Sequence, residues 1–234
     1  MAEISSTGDQ MLTVLETVAR LGPLSAAEVA RACDMNRTVA HRLLTTLAQR
    51  AYVRRGDDGY TIGPAVLRLA PAADADLRRV AKPVMSRLAR ESGETVVLHG
   101  LDNLEAVVID QAPGQQHLVR VEHSPGSRHK LSQGASGWSL LAFQPEKTIA
   151  RALKKAENAT DAGKRIEAVR KDGYAISHDE LQQGVHGIAV PLVEPGGRCQ
   201  ASLAILVPSL RANALPALRK ALVAAAAEIV TGLR

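Results

Sequence analysis

The chain has 234 residues, 46% of them hydrophobic, and carries 29 Lys and Arg against 24 Asp and Glu, a formal charge of +5. That length suits two domains, and the apolar content is ample for packed cores, which excludes a disordered chain. The moderate basic excess favours polyanions, and the five aromatic residues (Tyr52, Tyr60, Trp138, Phe143 and Tyr174) are too few for the stacking platforms of single-strand and RNA binders, which leaves duplex DNA as the better partner.

In chain order, Leu12, Leu15, Val18 and Ala19 predict an opening helix over Met11 to Leu21, ended by Gly22-Pro23. Ser25-Ala-Ala-Glu28 reads as a capping box, in which the Ser hydroxyl and Glu carboxylate satisfy each other's orphan amides at the start of a second helix. Cys33-Asp-Met-Asn36 breaks that helix. Asn36 caps a third, on which Val39, Leu43, Leu44 and Leu47 recur at helical spacing. Its other face carries Arg37, Thr38, His41, Arg42 and Thr45. Tyr52 to Arg55, a Gly56-Asp-Asp-Gly59 turn and Tyr60 to Ile62 follow as a hairpin. Between Arg37 and Arg55 stand five arginines (Arg37, Arg42, Arg50, Arg54, Arg55) and no acid, the sign needed to meet phosphate. The order of helix, tight turn, basic helix and hairpin is a winged helix-turn-helix. Its DNA-binding candidates are Asn36, Arg37, Thr38, His41, Arg42 and Thr45 on the recognition helix, with Arg54 and Arg55 on the wing. Residues 1–70 nonetheless hold eight Arg and seven acids, a balance of only +1. Such a weakly basic unit is expected to need pairing with a second copy.

Beyond a boundary at Pro71 to Asp74, Leu77, Val80, Ala81, Val84, Leu88 and Ala89 share one face of a linker helix over 71–92, with a kink expected at Pro83 and an end at Gly93. The period then changes. Thr95 to His99 and Glu105 to Ile109 predict strands joined by Gly100-Leu-Asp-Asn103, and Val119 and Val121 suggest another before Ser124-Pro-Gly126. Helices are expected over Trp138 to Phe143, Glu146 to Ala156 and Ala162 to Lys171, then strands over Gly187 to Val193 and Ala201 to Val207 around a Pro195-Gly-Gly197 turn. A last helix carries Leu215, Leu218, Leu222, Ala225, Ile229 and Leu233 on one stripe. The second domain, 93–234, is thus expected to be α+β with one central antiparallel sheet. Cys33 and Cys199 lie far apart with no metal-type spacing, no secretory signal is legible and no run of about 18 apolar residues occurs; a soluble, reduced, cytoplasmic protein without cofactor or metal is expected.

Several segments in fixed order resemble the IclR family of bacterial transcriptional regulators. They are Leu24-Ser-Ala-Ala-Glu-Val-Ala30, His41-Arg-Leu-Leu44, Gly59-Tyr-Thr-Ile-Gly63, Gly134-Ala-Ser-Gly137 with Leu140-Leu-Ala142, and Gly173-Tyr-Ala-Ile-Ser177 through Glu180, Gly184 and Gly187-Ile-Ala-Val-Pro191. The resemblance implies a winged helix-turn-helix joined by a linker helix to a GAF-like effector domain. It also implies homodimers that commonly pair into tetramers, and a palindromic operator mirroring the two-fold symmetry.

The resemblance also implies a small-molecule pocket between the sheet and the Gly134-Ala135-Ser136-Gly137 segment. That segment is expected to precede a helix starting at Trp138, so its amides can receive an effector carboxylate. Read by itself, without the resemblance, the segment is first of all a plain helix cap. Trp138, the only Trp, is either a pocket wall or a core anchor, and His99 on its strand and His186 before Gly187 are each a ligand contact or a satisfied surface or core histidine. Where members that bind small, very polar acids place carboxylate, thiol or hydroxyl groups, this chain has Ser177, Gly187, Ala204 and Leu206. Three of these four lack polar side chains, so the expected effector is a larger or aromatic organic acid. An enzyme is not expected: the seven histidines include no His-x-x-x-His pair, and Gly134-Ala-Ser-Gly137 is one residue short of a nucleophile elbow. The alternative is a DNA-binding architectural protein with no effector.

Overall fold

The computed structural model describes residues 4–69, 74–154 and 159–233, and the chain divides into two compact units, Met1–Ala73 and Asp74–Arg234. In the first, α1 (Ser6–Leu21) starts at the Ser5 cap and buries Val14, Thr17 and Val18. The capping box of α2 (Ala26–Ala32) is formed: Ser25 Oγ accepts from the Glu28 amide at 3.3 Å and the Glu28 carboxylate from the Ser25 amide at 2.8 Å. Asn36 Oδ1 accepts from the Thr38 amide at 2.8 Å and so starts α3 (Arg37–Gln49), which buries Ala40, Leu43, Leu44 and Leu47. Each such leucine removed from water contributes about 1.5–3 kcal/mol. The wing is β1 (Val53–Gly56) paired with β2 (Gly59–Ile62) across Asp57-Asp58. Leu24 adds a bridge by exchanging amide bonds with Tyr60 at 3.2 and 2.7 Å. Gly59 sits at φ +130°, where a Cβ would lie 2.5 Å from the Leu24 backbone, so this corner accepts only glycine. A short α4 (Ala65–Leu69) follows; the expected boundary at Pro71 to Ala73 lies outside the described residues.

The second unit is a curled six-stranded antiparallel sheet between two helical layers. Its strands are β3 (Thr95–Asp102), β4 (Glu105–Ala112), β5 (Arg128–Lys130), β6 (Ala175–His178), β7 (Val185–Val193) and β8 (Cys199–Pro208), in the order β5-β4-β3-β8-β7-β6. Alternation along each strand sorts the two cores. Val96, Leu98, Ile188, Val190, Leu203 and Ile205 pack with α5 (Ala75–Ser92) and α9 (Leu215–Gly232) on one face. Ala106, Ala175, Ala189 and Ala204 lie on the other, beneath α6 (Gly134–Leu141), α7 (Glu146–Leu153) and α8 (Ala159–Asp172). The segment read as a linker helix is α5, which runs through Pro83 as one helix and contributes Ala81, Val84, Met85, Leu88 and Ala89 to the first core.

Four expectations need correction. Val119 and Val121 form no strand: residues 113–127 are irregular, with Val119 56% exposed, because Pro113, Gly114 and Pro125 break any ladder. The β3–β4 turn is Asn103-Leu104, since pairing continues to Asp102 and Glu105. β5 and β6 are strands not expected from the sequence. Most consequentially, α6 begins at Gly134, so Gly134 to Gly137 are its first turn and not a preceding loop. The tail of the expected Glu146 to Ala156 helix, at 155–156, lies outside the described residues.

Candidate functional site

On the α6-facing side of the sheet, register brings Thr95, Leu206, Gly187 and Ser177 into one row and His99 and Ser202 into another. All eight residues of α6 are buried. It can lie this close because Gly137 packs on carbonyls: a Cβ there would fall 2.8 Å from the backbone oxygens of Leu131 and Lys130. Between helix and sheet lies a cavity lined by His99, Ala135, Ser136, Ser177, Gly187 and Leu206, all six of them candidates from sequence. Gly137, Trp138 and Ala204 are not in its lining; Gly137 supports the close approach and Ala204 packs in the second core.

Four further residues complete the wall. His123 comes from the irregular 113–127 segment, Leu181 from the β6–β7 turn, and Val185 and His186 from the start of β7. His186 is legible beside Gly187, whereas the other three carry a weak sequence signal, because each reaches the cavity from chain far from the Gly134 motif. His186 Nδ1 lies 2.6 Å from His178 Nδ1 and its Nε2 2.7 Å from Ser209 Oγ. The cavity is small, about 20 Å³, room for one water.

The expected anion position at the start of α6 is already taken by the chain itself. Glu180 accepts from the Gly134 amide at 2.9 Å and from Trp138 Nε1 at 3.0 Å, and its other oxygen pairs with Arg165 at 2.7 Å. The Ala135 amide donates to Ser177 Oγ at 2.9 Å. Orphan amides and the helix dipole favour a carboxylate here, and Glu180 supplies one. Trp138 therefore serves as a partner of Glu180, with the Arg165 guanidinium 4.5 Å over its ring.

Three histidines gather at the other side. The His99 ring centroid is 5.3 Å from that of His129 and 6.5 Å from that of His123, both edge-on, and His129 Nε2 lies 3.1 Å from Ser136 Oγ. Burial, and then the charges His129 and His123 would carry, hold His99 well below its ordinary value. Burial pushes His129 down to about 4, with His123 adding to the effect and Glu105 opposing it, and burial lowers His123 too. All three are thus uncharged near neutrality. Among the described residues, no group of three His, Cys, Asp or Glu is arranged to hold a metal. Cys199 is buried, which pushes its thiol up to about 12, and Cys33 Sγ donates to Thr17 Oγ1 at 3.3 Å.

In the first unit, Asn36, Arg37, Thr38, His41, Arg42 and Thr45 are all exposed along α3, as are Arg54 and Arg55 on the wing. Asn36 Oδ1 is engaged as a cap, Thr45 Oγ1 donates to the His41 carbonyl at 2.8 Å, and Arg54 Nε to Thr61 Oγ1 at 3.2 Å. Among the described residues, none of the five arginines from Arg37 to Arg55 is paired with an acid. They present uncompensated charge of the kind phosphates attract.

Comparison with known proteins matches residues 9–57 to the IclR helix-turn-helix domain and residues 70–231 to the bacterial transcriptional regulator IclR C-terminal family. The HTH-type transcriptional regulator BhcR of Paracoccus denitrificans is 28% identical over 96% of this chain and 86% of its own. KipR of Bacillus subtilis is 30% identical over 78% of each. An IclR regulator from Alicyclobacillus acidocaldarius superposes with a TM-score of 0.88 at 25% identity, covering 99% of this chain and 100% of its own. An IclR homologue from Microbacterium hydrocarbonoxydans, solved with 4-hydroxybenzoate, shares the fold at a TM-score of 0.86 and 23% identity, over 98% and 99%. With both domain families matched in order along one chain, the protein belongs to the IclR family of bacterial transcriptional regulators, whose members are regulators and not enzymes.

Proposed function

We propose that this chain is a ligand-responsive regulator that binds a palindromic operator in duplex DNA as a homodimer or a pair of dimers. It responds to a small organic acid with an aromatic or otherwise bulky apolar body, and it acts in the cytoplasm. The observation that carries the DNA part is the exposed face of α3, where Arg37, Thr38, His41, Arg42 and Thr45 stand together with no acid among them. In a helix-turn-helix this face enters the major groove, the short side chains reaching base edges and the arginines phosphates. No helix among the described residues is long and apolar enough to cross a membrane.

Two features support an acid ligand. The Gly134 amide at the start of α6 accommodates a carboxylate, that of Glu180, and Ala135, Leu181, Val185, Gly187 and Leu206 form an apolar half of the cavity wall suited to a hydrocarbon body, opposite three histidines and two serines. That the Microbacterium homologue was solved with 4-hydroxybenzoate is a fact about that protein; for this chain the lining carries the argument. The smallness of the cavity favours a second reading, a DNA-binding protein with no effector.

Two measurements test the proposal. Duplexes selected from a random pool by the full chain, titrated by anisotropy over a range of salt, should bind Arg42→Ala more weakly and with a salt slope lower by about one; an unchanged slope removes Arg42 from the phosphate contacts. Thermal denaturation against a panel of aliphatic and aromatic acids separates the two readings. A true ligand at 100 times its dissociation constant adds about 2.7 kcal/mol of stability, and no shift across the panel selects the effector-free reading.

A further inference from the structure

His99 is 1% exposed, lines the cavity, and neither of its ring nitrogens has a hydrogen-bond partner. A neutral imidazole carries one N–H donor and one lone-pair acceptor, and burying both unsatisfied is a cost that structures rarely leave unanswered. Directly across the β3–β8 pair, Ser202 Oγ is likewise buried without a partner. His123 and His129 stand edge-on to His99 and, being uncharged near neutrality, supply no positive field there. Among the described residues, no Lys or Arg lines the cavity; Arg165 is committed to Glu180. The Gly134 amide, outside the cavity lining, holds one negative charge, that of Glu180, whereas His99 in the lining offers hydrogen bonding without charge.

We propose that His99 is the specificity-determining residue of the effector pocket, exchanging a hydrogen bond with an uncharged hydroxyl on the ligand, so that the preferred effector is a hydroxylated monocarboxylic acid. This inference rests on the acid reading above and narrows it. A ligand hydroxyl can donate to the free imidazole nitrogen or accept from the N–H, whichever tautomer is present, so it fits the orphaned ring in either state. A second carboxylate would arrive with no counter-charge and would pay desolvation unrelieved, which selects against dicarboxylic acids. A plain acid of the same shape would leave His99 as unsatisfied as it is now, and sites built around a buried polar group reject analogues that lack its partner.

Matched probes give the test: benzoate, 3-hydroxybenzoate, 4-hydroxybenzoate and terephthalate, titrated calorimetrically into the full chain and into His99→Leu. The expected result is that one hydroxybenzoate binds wild type roughly ten- to hundredfold more tightly than benzoate, that terephthalate binds no better than benzoate, and that the hydroxyl preference falls to about twofold or less in His99→Leu while benzoate binding persists. Should His99→Leu fail to fold, the imidazole 15N resonances of His99 in wild type replace it; they should move with the preferred hydroxybenzoate and stay in place with benzoate. Equal binding of benzoate and both hydroxybenzoates, a preference that survives in His99→Leu, or tight binding of terephthalate overturns the role of His99 and leaves the acid reading standing. No binding by any of the four overturns the benzoate-type acid reading itself, and this inference with it.

Discussion

Acidification offers a direct measure of how firmly the pocket histidines are kept out of water. His129 has its folded value pushed to about 4 against an ordinary 6.5, and His99 and His123 are lowered in the same direction, all by burial first. Above the ordinary value both folded and unfolded chains hold these rings neutral, and stability is unaffected. As pH falls through 6.5 the unfolded chain takes up protons that the folded chain refuses, so stability is lost progressively until the folded value near 4 is reached. At about pH 5, His129 alone accounts for a loss of ~2 kcal/mol, and His99 and His123 act in the same direction. Urea melts of the full chain between about pH 7.5 and 5, at fixed ionic strength, read this as a falling midpoint at constant slope, before most carboxylates titrate. His129→Asn, which removes one of the groups, should recover ~2 kcal/mol of the pH-dependent part. A midpoint that stays level over this range, or an equal decline in His129→Asn, would refute the claim that His129 is held neutral by the fold.

Other outcomes follow from packing. Glu94, 3% exposed, is paired with Arg211 through two of its guanidinium nitrogens, Nε and Nη2, the latter at 2.9 Å, with His117 3.8 Å away. Arg211→Ala should therefore cost about 3–5 kcal/mol by stranding a buried carboxylate, lowering Tm by roughly 6–20 °C, while Glu94→Leu combined with Arg211→Met regains most of it; a Tm within about 2 °C of wild type would refute the pairing as a structural element. Gly137→Ala should lose about 1–3 kcal/mol because its Cβ meets the Leu131 and Lys130 carbonyls at 2.8 Å. Gly163→Ala, with nothing within 4 Å and a helical setting, should gain about 0.5–1 kcal/mol. Differential scanning calorimetry gives the sign of each: a gain from Gly137→Ala would contradict the packing described for α6, and a loss from Gly163→Ala would contradict the open space at that position.

The DNA-binding unit was legible in the sequence because its signals are local. The Ser25–Glu28 box, the Asn36 cap and the two-residue Asp57-Asp58 turn each specify geometry within four residues, and each appears with its expected hydrogen bonds or pairing. The pocket was only half legible for the opposite reason. Gly134, Ala135, Ser136 and Gly137 include two of the weakest helix formers, so propensity placed the helix start at Trp138; tertiary contact with the Lys130 and Leu131 carbonyls overrides it. β6 is hidden because Ala175-Ile-Ser-His178 offers four residues with one large apolar side chain. That Glu180 would occupy the Gly134 amide of α6 was invisible, since nothing in local spacing joins residues 46 apart in the chain.

The cavity's size constrains how any effector can enter. A volume of about 20 Å³ holds a water but no six-membered ring, so part of the wall must yield. The floor cannot, because His99, Leu206 and Gly187 sit on β3, β8 and β7, inner strands of the six-stranded sheet. α6 cannot retreat cheaply either, being buried along its length and fixed under Gly137. What remains is the irregular chain that supplies His123 and, above all, the β6–β7 turn, where Leu181 is 37% exposed and closes over Gly134. That turn is tethered by Glu180 to the Gly134 amide, Trp138 and Arg165. Moving it would break those bonds, and for the proposed acid effector, whose carboxylate could replace them, entry and Glu180 release would be one exchange. Apparent affinity then depends on how often the turn is open, a fraction that multiplies the intrinsic binding constant. A bulky apolar acid with a hydroxyl offsets that cost in two ways unavailable to a two-carbon acid: it buries more apolar surface against Leu206, Val185 and Leu181, and it satisfies His99.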